Sequence, residues 1–225
     1  MQNTDFFKYL HRMPTIKKFT DSSFKKTCKA LAAQHVSIKT IIDTYGVPPM
    51  YQRDFSFETL VQIILEQQVS LASGRAVFKR LQERLGNITP HGLLQLTKDE
   101  LRTCSVSRQK AGYLHHLSQT VVDGKLMLDD LEKESDDEVR KQLMQVKGIG
   151  PWTADVVLML CMQRYDVLPL GDIALINSIK HIHKQPDWTV ADIQFYTEGY
   201  KPYRTIAAYC YWHAYIQRKN ITTTV

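Results

Sequence analysis

Between Phe24 and Tyr45 the apolar positions Leu31, Val36, Ile38, Ile41 and Ile42 recur at helical spacing and stop at Gly46-Val47-Pro48-Pro49, which predicts a helix or a pair of helices. In Ser56–Gln68 the residues Phe57, Leu60, Val61, Ile63, Ile64 and Leu65 are too dense for a surface helix, so this segment reads as a helix buried on most of its circumference. Ser70–Leu85 follows with apolar Leu71, Ala72, Ala76, Val77 and Leu81 and closes at Gly86, a glycine stop. Thr89-Pro90 opens a short segment to Leu96, Thr97 and Glu100 fit a capping box, and Ser107 suits the start of a helix reaching Val122 before the Asp123-Gly124 turn. Ser135-Asp136-Asp137-Glu138 starts another helix, with acids in the first turn where the macrodipole favours them. Strand-like alternation is absent, and the pattern predicts an all-α protein of about ten helices.

Composition narrows the classes. A length of 225 residues suits one large domain or two small ones, and 44% hydrophobic with 23% charged residues excludes a disordered chain or a rod. No apolar run is long enough to span a membrane, and Met1–Thr20 has no apolar signal core, so the expectation is an intracellular protein, cytoplasmic or, in a eukaryote, nuclear. Cys28, Cys104, Cys161 and Cys210 lack close pair spacing and read as buried thiols in a reducing compartment. The eight histidines form no H-x-x-x-H pair, and no catalytic metal is expected. The net charge of +6 permits a polyanionic partner without requiring one.

The chemistry concentrates after the Ser135 helix, at Gln145-Val146-Lys147-Gly148-Ile149-Gly150-Pro151-Trp152-Thr153-Ala154-Asp155. Two glycines around one apolar residue, then a proline at a first helical position, describe a tight hairpin between two helices. Such a hairpin presents backbone N–H groups at a helix N-terminus, a ready anion site; taken alone, the same residues also suit a plain helix connector.

The longer string V-K-G-I-G-P-W-T-A-D, followed by P-L-G-D-I-A-L, resembles the helix-hairpin-helix superfamily of base-excision DNA glycosylases (HhH-GPD). Ile64-Leu65-Glu66-Gln67-Gln68-Val69-Ser70 resembles the I-L-x-Q-Q-x-S segment of its alkylpurine (3-methyladenine) branch. Ser107-x-x-Lys110 resembles its next helix start, and Lys201-Pro202-Tyr203-Arg204-Thr205 through Trp212 its last helix. The likeness runs in order from about Phe24 to Arg218. It implies one domain over residues 1–225, a compact two-lobed helical bundle: a middle lobe of about 55–145, and a segment 1–54 packed with a C-terminal lobe 146–225. The cleft between the lobes would take DNA. Nothing in residues 1–50 reads as the β-rich N-terminal domain that some members carry.

By the same resemblance Asp172 is the catalytic carboxylate, although an aspartate before Ile-Ala-Leu is also a good helix cap. Cleaving an N-glycosidic bond builds positive charge on the sugar, which one fixed carboxylate stabilises while orienting water. Trp152 and Trp212 are implied walls of a base pocket, where aromatic faces stack a flipped cationic purine; core packing is the ordinary role for each. Trp152 stands where the strand-nicking branch has a Schiff-base lysine, which implies a monofunctional enzyme, and Cys210 alone is available near the C-terminus, so no iron–sulfur cluster is expected. Val156 departs from relatives with a third aromatic there.

The implied DNA-binding residues are Lys147, Gly148, Ile149, Gly150 and Thr153 of the hairpin, with Ser70, Ser107 and Lys110. Gln67 and Gln68 join them, one of them, by preference Gln68, filling the gap left by the extruded nucleotide. Arg204 is implied to touch phosphate or Asp172, or else to be a solvated surface arginine. The resemblance also allows a sodium or potassium ion at the main-chain carbonyls of Met144, Val146 and Ile149, with no cofactor needed for catalysis.

The implied activity is removal of alkylated purines such as 3-methyladenine and 7-methylguanine from double-stranded DNA by a monomer with no membrane association. Three alternatives stay open on the residues: a glycosylase for deaminated or oxidised bases, a non-catalytic helix-hairpin-helix DNA-binding protein, and a helical protein–protein module.

Overall fold

In the computed structural model, which describes residues 18–221, the polar residues marked as helix starts do cap helices. The side chains of Ser56, Ser70, Thr89, Thr97, Ser107 and Ser135 each accept the backbone N–H three residues on, satisfying a donor the helix itself cannot. The helices are α1 (Asp21–Gln34), α2 (Val36–Tyr45), α3 (Phe57–Glu66), α4 (Leu71–Leu85), α5 (Pro90–Gln95), α6 (Lys98–Thr103) and α7 (Arg108–Val122). They continue as α8 (Leu128–Leu131), α9 (Asp136–Leu143), α10 (Pro151–Leu160), α11 (Ile173–His183), α12 (Val190–Thr197) and α13 (Arg204–Arg218). The described residues contain no strand beyond an isolated bridge between Lys18 and Arg164. The all-α expectation holds, and the count exceeds about ten because pieces as short as α8 leave no periodic trace. The 24–45 stretch is a pair of helices broken at His35, whose extended backbone ends α1 and begins α2.

Helix packing follows the apolar faces. α1 and α2 lie on each other and on α13, which also packs on α11. α3, with Phe57, Leu60, Val61, Ile63, Ile64 and Leu65 all buried, packs on α4 and α7, while α5 and α6 pack on α7. Each such buried aliphatic side chain contributes about 1.5–3 kcal/mol relative to exposure. α10 touches both α3 and α9, so the hairpin leading into α10 faces the end of α3. Tyr209 of α13 donates its hydroxyl to the carbonyls of Met159 at 2.8 Å and Tyr51 at 2.9 Å, fastening the loop before α3 to α10 and α13.

All four cysteines are buried and unbridged. Among the described residues no helix is long and apolar enough to cross a membrane, and no three His, Cys, Asp or Glu side chains gather as metal ligands. All but the last three residues of Met1–Thr20, read as lacking a signal core, and with them the packing of residues 1–17, lie outside the described residues.

Candidate active site

The hairpin is held by contacts remote in sequence. Gln67, the residue after α3, donates its amide Nε2 to Gly148 O and to Thr153 Oγ1, both at 2.9 Å. Lys110 of α7 donates Nζ to Leu65 O at 2.7 Å and Gln67 O at 2.8 Å, supplying partners for the last carbonyls of α3; burial lowers its pKa. Gln68 then turns with φ of 56°, left-handed and exposed, beside the exposed apolar Val69 and Leu71. Gly148 has φ of 96°, and a Cβ there would sit 2.3 Å from Tyr113 Cγ, so only glycine fits between the hairpin and that ring. Lys147 donates its N–H to His116 Nδ1 at 3.1 Å.

These contacts do not use every hairpin donor. The N-cap of α10 is Gly150, without a side-chain cap, and Pro151 has no N–H. Among the described residues the N–H groups of Gly148 and Gly150 have no protein acceptor. A helix N-terminus in this state attracts an anion such as a DNA phosphate.

Across the cleft, Asp172 caps α11 through Oδ1, which accepts Leu175 N–H at 2.7 Å. The same oxygen accepts Trp212 Nε1–H at 3.2 Å, and Oδ2 accepts Trp152 Nε1–H at 3.1 Å. Three helix segments therefore converge on one carboxylate: the starts of α10 and α11, and the third turn of α13. Trp212 stacks on Tyr209 with centroids 5.7 Å apart and meets the edge of Tyr51 at 6.5 Å. The cleft, of about 1400 Å³, is lined by Asp172, both tryptophans, Tyr51, Val156 and the Gln67-Gln68 turn. Its chemical capacity is specific: a carboxylate fixed in plane, beside aromatic faces, next to an anion-binding hairpin.

Several residues expected at the DNA are bound within the protein. Thr153 is buried and bound to Gln67. Lys110 is bound to carbonyls, and the Ile149 side chain is buried at 5% exposure. Arg204 reaches neither Asp172 nor an open surface: its Nε and Nη2 donate to Asp166 at 2.7 and 3.0 Å and its Nη1 to Glu198 at 3.1 Å, because Asp166 lies beside the start of α13. Ser70 and Ser107 are exposed helix caps, and Lys147 is exposed. Tyr51, Tyr113 and the pair Arg53–Glu66, which also lines the cleft, had no local signal; a tyrosine in a loop and an arginine before a buried helix carry no spacing that announces a pocket.

Residues 61–201 match the HhH-GPD family, described as HhH-GPD superfamily base excision DNA repair protein. The chain belongs to this family. A DNA-3-methyladenine glycosylase of Bacillus subtilis is 28% identical over 182 residues, covering 74% of this chain and 57% of that protein. This HhH-GPD chain thus spans little more than half of that relative's length. A DNA-3-methyladenine glycosidase from Bacillus halodurans superposes with a TM-score of 0.74 at 28% identity over 91% of this chain and 95% of that one. A Schizosaccharomyces pombe 3-methyladenine DNA glycosylase in complex with abasic DNA gives a TM-score of 0.78 at 24% identity over 89% and 100%.

Proposed function

We propose that this protein is a monofunctional DNA glycosylase that flips alkylated purines out of duplex DNA and hydrolyses their N-glycosidic bond, leaving an abasic site. The observation that carries the reading is the carboxylate of Asp172 held by both tryptophan indoles inside the cleft beside the hairpin. The names of the relatives support the choice of lesion.

The chemistry follows from the geometry. When the C1′–N bond breaks, its electron pair leaves with the base and positive charge grows on the deoxyribose. Asp172 faces that charge; Oδ2 holds one donor where Oδ1 holds two, so Oδ2 is the oxygen with room to accept a proton from the attacking water. A cationic alkylated base leaves without prior protonation, so no separate general acid is needed. The faces of Trp152 and Trp212 suit stacking of such a base. Lys110 is the cleft's lysine among the described residues, and its ammonium is bound to two carbonyls, which supports hydrolysis by water over Schiff-base chemistry.

The hairpin N–H groups grip phosphate as a monomer on duplex DNA. A monovalent cation fits there: among the described residues the carbonyls of Met144 and Ile149 have no protein donor, and that of Val146 accepts only Ile149 N–H at 3.0 Å. Bound, it would add positive charge facing a phosphate.

The test is to incubate the protein with methylated duplex DNA, identify released bases, and assay strand breaks before and after alkali. Release of 3-methyladenine or 7-methylguanine with alkali-dependent breaks is expected. Breaks without alkali, or a borohydride-trapped adduct, would refute the monofunctional assignment.

A further inference from the structure

The loop before α3 lines the cleft with Tyr51, Gln52 and Arg53, and Arg53 there pairs with Glu66, which comes to the lining from α3 together with Gln62. Glu66 has a side chain only 7% exposed, with Oε2 2.8 Å from Arg53 Nη1 and Oε1 accepting Gln62 Nε2–H at 3.0 Å. The Arg53 contact is off the hydrogen-bond axis, an ion pair more than a directed bond. Both carboxylate oxygens are engaged, so Glu66 has little left to offer a ligand. Arg53 differs: its side chain is 21% exposed, its backbone N–H is fixed on Leu160 O at 2.9 Å, and among the described residues its other guanidinium nitrogens have no acceptor.

A buried ion pair in an aromatic pocket is a poor stabilising device, because desolvation offsets most of the attraction and apolar side chains of the same volume serve as well. Arg53 lines the cleft and has guanidinium N–H groups beyond the one held against Glu66, and such donors are instead suited to reading an acceptor.

We propose that Arg53, positioned by Glu66, is a specificity-determining residue that hydrogen-bonds the C6 edge of the extruded purine and favours bases with a carbonyl there, such as 7-methylguanine, over bases with an amino group, such as 3-methyladenine. This rests on the glycosylase reading for its setting. A guanidinium only donates, so a 6-oxo group matches it while a 6-amino group sets donor against donor. An unpaired guanidinium would also repel any cationic base; the Glu66 carboxylate cancels that charge and leaves hydrogen-bond selection in place. Sites built to hydrogen-bond a substrate group discriminate more strongly than apolar pockets that differ by a methyl.

The test compares the wild type with Arg53→Met, Arg53→Lys and Glu66→Gln. Single-turnover release of 7-methylguanine and 3-methyladenine is followed from the same methylated duplex, beside quenching of tryptophan fluorescence by each free base. Arg53→Met is expected to slow 7-methylguanine release by about tenfold or more while 3-methyladenine release changes less than about twofold. Glu66→Gln shifts the ratio the same way by less, and Arg53→Lys, which keeps the charge but not the fork, falls between. Quenching repeats the order. Should Arg53→Met not fold, Arg53→Lys decides. An unchanged ratio, or both bases falling together, overturns the proposal while leaving the glycosylase reading intact. Wild-type protein that releases neither base yet binds the free 6-oxo base in an Arg53-dependent way refutes the glycosylase reading and upholds this one; quenching equal in wild type and variants overturns it.

Discussion

Trp212 and Asp172, 40 residues apart, are joined by a 3.2 Å hydrogen bond from the indole Nε1 to carboxylate Oδ1. The tryptophan therefore orients the carboxylate as well as walling the cleft. Trp212→Phe keeps the ring face and removes the donor; a hydrogen bond to a charged group is worth about 1.5–3 kcal/mol, so excision should slow by roughly tenfold to a hundredfold. Trp212→Ala should be slower still, with binding to undamaged duplex unchanged in both. Single-turnover release with a band-shift control measures this, and wild-type rates in the Phe variant would reduce Trp212 to a packing residue.

Asp172→Asn separates cap from chemistry. Asparagine caps a helix about as well as aspartate, so the cap survives and any drop in melting temperature comes from the Trp152 indole left without its acceptor. The amide carries no charge to set against the sugar cation, and it turns a donor toward an indole donor. Base release should fall by roughly a hundredfold or more, on the scale of losing one electrostatic contact to a transition state, while affinity for abasic duplex persists. Asp172→Ala should in addition lose about 0.5–2 kcal/mol of stability with the cap. Thermal melts beside excision assays distinguish the two effects.

The two hairpin glycines should respond differently. At Gly148 an added Cβ meets Tyr113 at 2.3 Å with φ at 96°, so Gly148→Ala should lower the melting temperature and weaken binding to damaged and undamaged duplex alike. At Gly150 a Cβ meets nothing within 4 Å, and Gly150→Ala should fold normally. Any affinity lost in Gly150→Ala then reports the approach of DNA itself. Equal melting temperatures for the two variants would contradict the Tyr113 contact.

Stability should fall in mild acid through His183. Its ring lies 5.1 Å from Trp188 and 4.3 Å from Tyr196, Nε2 is 2.8 Å from the Tyr211 hydroxyl, and burial lowers its pKa below the ordinary 6.5. The unfolded chain therefore takes up the proton first as pH drops. The histidine's contribution is complete above about pH 6.5 and is lost as pH falls from there toward the lower folded value. His183→Phe should flatten the melting temperature between about pH 7 and 5; an unaltered slope would assign the acid sensitivity elsewhere.

What the sequence by itself determined is what acts over one helical turn. Ser56, Ser107 and Ser135 announce helix starts because a cap bonds a backbone donor three residues away, and Gly148-Ile149-Gly150-Pro151 announces a hairpin because φ is a local property. Asp172 was legible as a cap, and the resemblance is what proposes it as the reacting carboxylate. The tertiary structure decided which side chains are braces and which face the cleft. Gln67 and Thr153 meet across 86 residues because α3 packs against α10, Arg204 turns to Asp166 because of where that loop passes, and Arg53 meets Glu66 inside the cleft. No spacing within a helix encodes such pairings: they depend on how buried faces dock, and a polar side chain near that contact takes whichever partner satisfies it away from water.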